Sequence, residues 1–312
     1  MADVLMNNLM LSVYSILFCL GVSGNLLVIT YYGIHKRRNM TAHNVFKIQL
    51  AITDILVCIV VPLHMYEDYV LKRHIENRIY RFATVFPMYV AVTVSALILC
   101  GMSYERYRKI TEPFAKPWSK SRVCWICFGF WISCSPFAVE GILEIINPQM
   151  LTDRVLFGFH IVLLLFECII PIRFMLWCYQ RIRFHLEERS IWMCDNHIRQ
   201  KQNKIALETL KRLVLVFAVC VTPGRLMSVT LNAIGWAVGG NKRNRALIYA
   251  IQIATFLFYI NNAVNCLIYV SQDHKFRKWL LCRGTKAKRK FTRFRRVIVY
   301  GKNDNDQNEQ FI

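Results

Sequence analysis

Leu97-Ile98-Leu99-Cys100-Gly101-Met102-Ser103-Tyr104-Glu105-Arg106-Tyr107 ends an apolar run that begins near residue 80 and closes on a carboxylate, a guanidinium and a phenol. A run of this length and composition is what the hydrocarbon core of a bilayer requires of one helix, about 20 apolar residues. An arginine at the end of such a span must be paired or must face water, because intramembrane charge is costly, so Glu105-Arg106-Tyr107 asks for a functional reason. Comparable runs occur at 9–32, 45–66, 123–146, 155–180, 208–234 and 245–270, so the sequence predicts seven membrane spans. The 312 residues are 55% hydrophobic, with a mean hydropathy of +0.32, and one helical membrane domain over 9–270 accounts for most of them. No room remains for a soluble catalytic domain, and the chain is not expected to be an enzyme.

Orientation follows from Lys and Arg, which accumulate in cytoplasmic connections. Segments 33–44, 108–122, 181–212 and everything after 270 carry 28 of them, whereas the opposite connections, with Arg81 and Arg225 counted in, carry eight. The short amino terminus, 1–8, is therefore expected outside and the carboxyl terminus inside. Residues 1–20 lack the basic start and small-residue cleavage site of a signal peptide. The net charge of +21 lies beside membrane spans on one side, so anionic inner-leaflet lipid, rather than nucleic acid, is the expected partner. All twelve cysteines fall in spans or on the inner side, which leaves no extracellular disulfide, and the Cys124/Cys127 pair has no second pair nearby to complete a metal site.

Outer loops are short, and only the inner connection 181–207 reads as long. No internal repeat or matched pair of broken helices marks a transporter of two inverted halves. Past the last span, 271–282 alternates basic and apolar residues at helical spacing and is expected to lie on the inner membrane surface. Cys282 ends it as a candidate for palmitoylation. Residues 283–296 hold eight Lys or Arg in fourteen positions, read as stop-transfer charge or as a lipid-binding segment, and 301–310 is polar and reads as disordered.

The polar residues inside the spans form an ordered set: Asn25 after Gly24, Asp54 in Leu-Ala-Ile-Thr-Asp, Glu105-Arg106-Tyr107, Trp131, Pro171 with Tyr179, Pro223, and Asn265-Cys266-Leu267-Ile268-Tyr269. Over residues 20 to 282 this set resembles the rhodopsin-like G-protein-coupled receptors, in motif style closest to their peptide-receptor members. The resemblance implies an all-α, seven-transmembrane bundle with a short amphipathic eighth helix, in the plasma membrane, that binds an extracellular ligand and activates a heterotrimeric G protein. It implies that Arg106 moves from Glu105 toward Tyr179 and Tyr269 as the sixth helix swings outward; a static ion pair is the plainer reading. Phe217 and Pro223 match a core switch beside a proline hinge, where a missing backbone hydrogen bond permits bending.

Asn261, Asn265 and Tyr269 share one helix face by their spacing of four, and Ser95 lies three turns before Arg106. Asp54, Ser95, Asn261, Asn262 and Asn265 can surround one buried cavity, which in the family holds a sodium ion; a self-satisfied polar knot is the alternative. Two departures fall on moving parts: Val221 stands where the family has tryptophan, and Cys266 where it has proline. A third is Arg81, at the position of a cysteine that would tie down the outer lid, with no cysteine in 147–154 to meet it. A looser lid costs preorganisation of the ligand site.

Met88 occupies the position of the amine-receptor aspartate, and no lysine lies between Lys242 and Lys275, so amine ligands and a retinal Schiff base are disfavoured. Met88, Glu167, Arg225 and Tyr259 are the candidate ligand-pocket residues. Glu167 and Arg225 fall at similar depths on the fifth and sixth spans, where they either pair with each other or meet an opposite charge on a ligand; Glu140 and Glu144 add acidity above. Arg78, Arg81, Lys242, Arg243 and Arg245, offset in part by Glu67 and Asp68, make a basic rim suited to an acidic peptide or an anionic lipid. The alternatives from other classes are a small-solute or ion transporter along Asp54, Glu167 and Arg225, and a receptor-shaped decoy that does not couple. Few phosphoacceptors, Ser190, Thr285, Thr292 and Tyr300, predict weak phosphorylation-dependent arrestin recruitment.

Overall fold

The computed structural model describes residues 2–69, 78–112, 114–192, 197–238 and 245–282. The side chains of Glu67, Asp68, Arg78, Arg81, Glu140, Glu144, Ser190 and Arg245 lie outside that description, as do Lys242, Arg243 and everything after Cys282, including Thr285, Thr292 and Tyr300. The chain divides into two compact units, Met1–Ile268 and Tyr269–Ile312.

Among the described residues all regular structure is helical. The helices are α1 (Ala2–Ile29), α2 (Ala42–Tyr69), α3 (Arg78–Thr111), α4 (Lys120–Cys134), α5 (Val139–Ile146), α6 (Asp153–Leu164), α7 (Ile170–Trp192), α8 (His197–Val238) and α9 (Arg245–Gln272). Helices are the economical answer to this composition, since every backbone N–H and C=O is then satisfied within its own segment. Among the described residues six helical stretches are long and apolar enough to cross a membrane: Leu11–His35, Ala42–Leu63, Phe82–Thr111, Asp153–Glu188, Asn203–Gly235 and Ile253–Gln272.

The fourth expected span, 123–146, is instead divided. A 3₁₀ turn, Ser135–Ala138, separates α4 from α5. Pro136 has no N–H for the carbonyl of Ile132 and its ring crowds that carbonyl. The Ser135 hydroxyl donates to the same carbonyl at 2.8 Å, so the break leaves no orphaned acceptor. A proline also reshapes the fifth span: ahead of Pro171 the helix widens into a π turn, Leu165–Ile169, which joins α6 to α7 and carries Glu167. Such single π turns recur at functional positions. The connection 181–207 is not a long loop. Helix α7 runs on to Trp192 and α8 starts at His197, because the charged residues there are good helix formers.

Helix α3 is the hub of the first unit, packing on α2, α4, α5, α7 and α8, while α1 packs on α2 and α6 on α8. Small residues permit the close approaches, as is usual where dispersion rather than a hydrophobic drive holds helices together. A Cβ on Gly101 of α3 would lie 2.8 Å from a ring carbon of Phe46 on α2, and one on Gly24 would collide with the sulfur of Cys266 on α9. Gly101→Ala is expected to cost about 1–3 kcal/mol through overpacking, read as a lower unfolding midpoint of the purified protein; an unchanged midpoint would mean that Phe46 yields freely. The outward faces are apolar, with Ile16, Leu20, Trp125, Phe128, Leu215 and Leu226 all exposed, as surfaces that meet lipid must be.

In the second unit residues 274–282 are helical. Asp273 caps this helix, its carboxylate accepting from the backbone N–H groups of Lys275 (3.0 Å) and Phe276 (3.1 Å). Phe276 and Trp279 pack together with tilted rings, centroids 6.0 Å apart.

Candidate functional site

Three polar constellations lie along the first unit. The first is at the end of α3. Glu105 does not hold Arg106; His43, the second residue of α2, faces it with Nδ1 3.3 Å from the carboxylate. Among the described residues no ion pair joins Arg106 to any carboxylate, and the residue is half-buried. In this structure the Glu105 carboxylate is turned to His43 in place of Arg106, because α2 and α3 pack closely enough to bring His43 in from the side. Tyr107 packs on Trp177 of α7, with centroids 5.1 Å apart. Tyr179 lies on the same helix, and Phe217 is buried on α8 six residues before Pro223. Tyr269 begins the second unit.

The second constellation surrounds Asp54, which is fully buried. Asn265 donates its amide to Asp54 Oδ2 at 2.9 Å, joining α2 to α9. Asn25 donates to the carbonyls of Gly21 (2.9 Å) and Asn262 (3.0 Å), which adds α1 to the same layer. Ser95 donates to Thr53 at 2.9 Å, tying α3 to α2. Asn261, Asn262 and Ser95 are buried around them. Two oxygens here, Asp54 Oδ1 and Asn25 Oδ1, are buried with no hydrogen-bond partner among the described residues. Hard oxygen donors left without protons to accept are what an alkali cation takes, so the residues present fit one.

The third constellation links α3, the π turn and α8. Glu167 and Arg225 form an ion pair, with the carboxylate fully buried and the arginine side chain 11% exposed. The other carboxylate oxygen accepts from Thr93 of α3 at 2.5 Å. One oxygen of the buried carboxylate thus faces the arginine and the other accepts a hydrogen bond, which together lower the cost of holding the charge away from water. Arg225 also lies 5.9 Å from the ring centroid of Tyr89 and 5.8 Å from that of Phe258, where the ring faces attract its charge. It reaches a cavity of about 210 Å³ whose walls include Met88, Tyr89, Val92, His160 and Phe258. Its Nε is buried and makes no hydrogen bond among the described residues.

Met88 and Arg225 therefore line one cavity, with Glu167 behind Arg225. Tyr259 does not line it. Its hydroxyl donates to the carbonyl of Cys58 at 2.7 Å and its ring packs on Tyr14 inside the apolar core. A tyrosine on the inward face reads as a pocket residue until its hydroxyl is seen to satisfy a backbone acceptor. The sequence reading missed His43 and Thr93, which occupy helix positions with no motif around them. Cys124 is exposed and Cys127 buried, and the described residues contain no cluster of metal-binding side chains around them.

The profile of the family described as 7 transmembrane receptor (rhodopsin family) matches residues 24–269. Similar curated proteins include the rabbit (Oryctolagus cuniculus) neuropeptide Y receptor type 6, 23% identical over 300 residues covering 88% of this chain and 79% of that protein. The zebrafish (Danio rerio) C3a anaphylatoxin chemotactic receptor is 24% identical, covering 86% and 73%. The rabbit cholecystokinin receptor type A is 35% identical over a shorter stretch, 40% of this chain and 29% of that protein. A profile match that spans all three polar layers, on a chain of membrane-length helices, is a statement about the whole first unit. The chain belongs to the 7 transmembrane receptor (rhodopsin) family: it is a multi-pass plasma-membrane receptor, not an enzyme.

Proposed function

We propose that this receptor couples an extracellular ligand to a cytoplasmic heterotrimeric G protein, with its amino terminus outside and the Arg106 end of α3 inside. The divided α4–α5 segment then completes seven passes. The helix at 274–282 lies on the inner leaflet, anchored by acylation of the exposed Cys282. The observation that carries the reading is the state of Arg106: half-buried, near the end of α3, with the carboxylate beside it turned to His43. A cation that forms no ion pair among the described residues is available to a docking protein and to Tyr179. Ligand binding that favours an outward-bent α8, hinged at Pro223, shifts the population toward that docking state. Phe114, wholly exposed on the connection after α3, supplies an apolar contact beside it.

The ligand is a peptide in preference to an anionic lipid, since a relative named a neuropeptide receptor matches most of the chain. An acidic group on it is suited to the buried Nε of Arg225. A sodium ion held by Asp54 Oδ1, with Asn25, Ser95, Asn261, Asn262 and Asn265 around it, would neutralise the buried carboxylate and favour the inactive packing.

The test is agonist-free nucleotide exchange on a panel of G proteins in membranes. Acceleration of at least one is expected. Solute flux without exchange would instead support transport, and exchange no faster than in empty membranes, despite full surface expression, would sink the proposal. His43 gives a second handle. With His43→Ala, Glu105 is released to reach Arg106 and agonist-free exchange is expected to fall several-fold; an unchanged rate would show that His43 does not control the pair.

A further inference from the structure

A larger cavity, about 860 Å³, opens at the Glu105 end of α3, walled by α3, Glu112 and residues 115–119, the start of α4, the start of α2 and Asn203 of α8. It is within the size range of small-molecule sites. Four cations line it: Arg108, Lys109, Lys116 and Lys120. Of its two carboxylates, Glu112 is paired with Arg108 at 3.2 Å and Glu105 faces His43 at 3.3 Å. Among the described residues no carboxylate lies within ion-pair distance of Lys109, Lys116 or Lys120. The start of α4, capped by Ser119, which accepts from the Arg122 N–H at 3.1 Å, adds the positive end of a 15-residue helix. Trp118 makes the wall apolar, 5.8 Å from Tyr104 and 6.3 Å from Phe46 between ring centroids.

A second observation says what kind of anion belongs there. Ser121, which lines the cavity, begins a stripe on α4 that continues through Trp125, Phe128 and Ile132, at helical steps of four, three and four. These three side chains are 67%, 55% and 58% exposed. A soluble anion or an acidic peptide would use the lysines but has no need of an apolar track rising from them along the membrane depth. A phospholipid uses both.

We propose that this cavity binds an anionic phospholipid whose headgroup carries phosphate monoesters, gripped by Lys109, Lys116 and Lys120, with its acyl chains laid along Trp125, Phe128 and Ile132. From the reading above it takes only the orientation, which puts the cavity in the inner leaflet. Seated between α3 and α4, such a lipid would brace the connection that carries Phe114 and tune how the receptor meets its partner.

The experiment uses the full chain in phosphatidylcholine nanodiscs with and without phosphatidylinositol bisphosphate, retained lipid being counted by native mass spectrometry. Lipid is present on both faces of the disc and no G protein is added, so the result is independent of orientation and of coupling. Lys109→Gln/Lys116→Gln/Lys120→Gln is expected to weaken retention about 100-fold, since each near-surface lysine contributes roughly five-fold to such attraction. The charge-matched change Lys286→Gln/Lys288→Gln/Lys290→Gln in the tail is expected to leave that lipid in place. Arginine at the three cavity positions should restore binding, which also controls for folding. Trp125→Gln/Phe128→Gln should weaken the lipid while leaving binding of inositol trisphosphate unchanged. Equal loss in the two glutamine triples, or retention in the cavity triple, would overturn the site. Binding of inositol trisphosphate or inorganic phosphate as tight as that of the lipid would overturn the assignment to a membrane ligand.

Discussion

Arg106→Ala is expected to reduce agonist-free nucleotide exchange to the level of membranes without receptor, while surface delivery stays near that of the parent chain. The two readouts separate because Arg106 is half-buried and contributes no ion pair among the described residues. Its truncation leaves no buried charge stranded, so the stability cost should be near the typical value for a point substitution, about 1 kcal/mol. Function, in contrast, is expected to lose the cation on which the proposed docking state depends. Arg106→Lys should retain a fraction of the rate, because an ammonium keeps the charge but not the planar fork that presents several donors at once. Exchange that survives Arg106→Ala would move the coupling role elsewhere on the inner face. Loss of both exchange and surface delivery would show that the side chain is needed for folding.

Arg225→Ala is expected to act in the opposite order, on stability first. Glu167 would be left wholly buried with Thr93 as its remaining partner. Breaking a buried pair by removing one member costs roughly 3–5 kcal/mol, because the other charge is stranded. The unfolding midpoint and the surface population should both fall. Removing the stranded charge as well, as in Arg225→Met/Glu167→Leu, should recover most of the stability, since apolar replacements of similar volume can equal or exceed a buried pair. The double variant also separates the two roles of the arginine. If Arg225 serves the bundle alone, restored stability brings back the ligand response; if its Nε receives an acidic group of the ligand, stability returns without the response. An unchanged midpoint for Arg225→Ala would contradict the buried ion pair.

The residues that were legible and those that were not differ in how far their meaning depends on neighbours in space. Membrane-length helices were readable because a bilayer imposes a one-dimensional rule, a length of apolar residues, which survives in the chain without knowledge of its packing. Asp54 and Asn265 were readable as one layer because the helical repeat assigns each polar residue a face and a depth. The similar depth of Glu167 and Arg225 also followed from the repeat, but the choice between internal partner and ligand contact did not. It needed the separation of two side chains on different helices and the presence of Thr93.

Proline marks where local reading reaches its limit. Pro136 and Pro171 both remove a hydrogen bond, yet the first divides a span through a 3₁₀ turn and the second widens one through a π turn. Which occurs depends on what stands ready to take the vacated carbonyl and on the helices packed alongside. Tyr259 shows the same limit for function, since an inward-facing tyrosine reads as a pocket residue until the carbonyl of Cys58 claims its hydroxyl.

Hydropathy, the uneven distribution of Lys and Arg and the order of the polar landmarks were thus enough to place this chain among membrane receptors, because each is a property of composition along a line. Packing of α2 against α3 was needed to give Glu105 to His43 and leave Arg106 without it. Packing of α3 and α8 on the π turn was needed to close Glu167 on Arg225. The reason is physical. Desolvation and hydrogen bonding are settled within about 3 Å, and the partners that settle them here stand 58 to 74 residues apart in the chain, as Glu167 does from Arg225 and from Thr93.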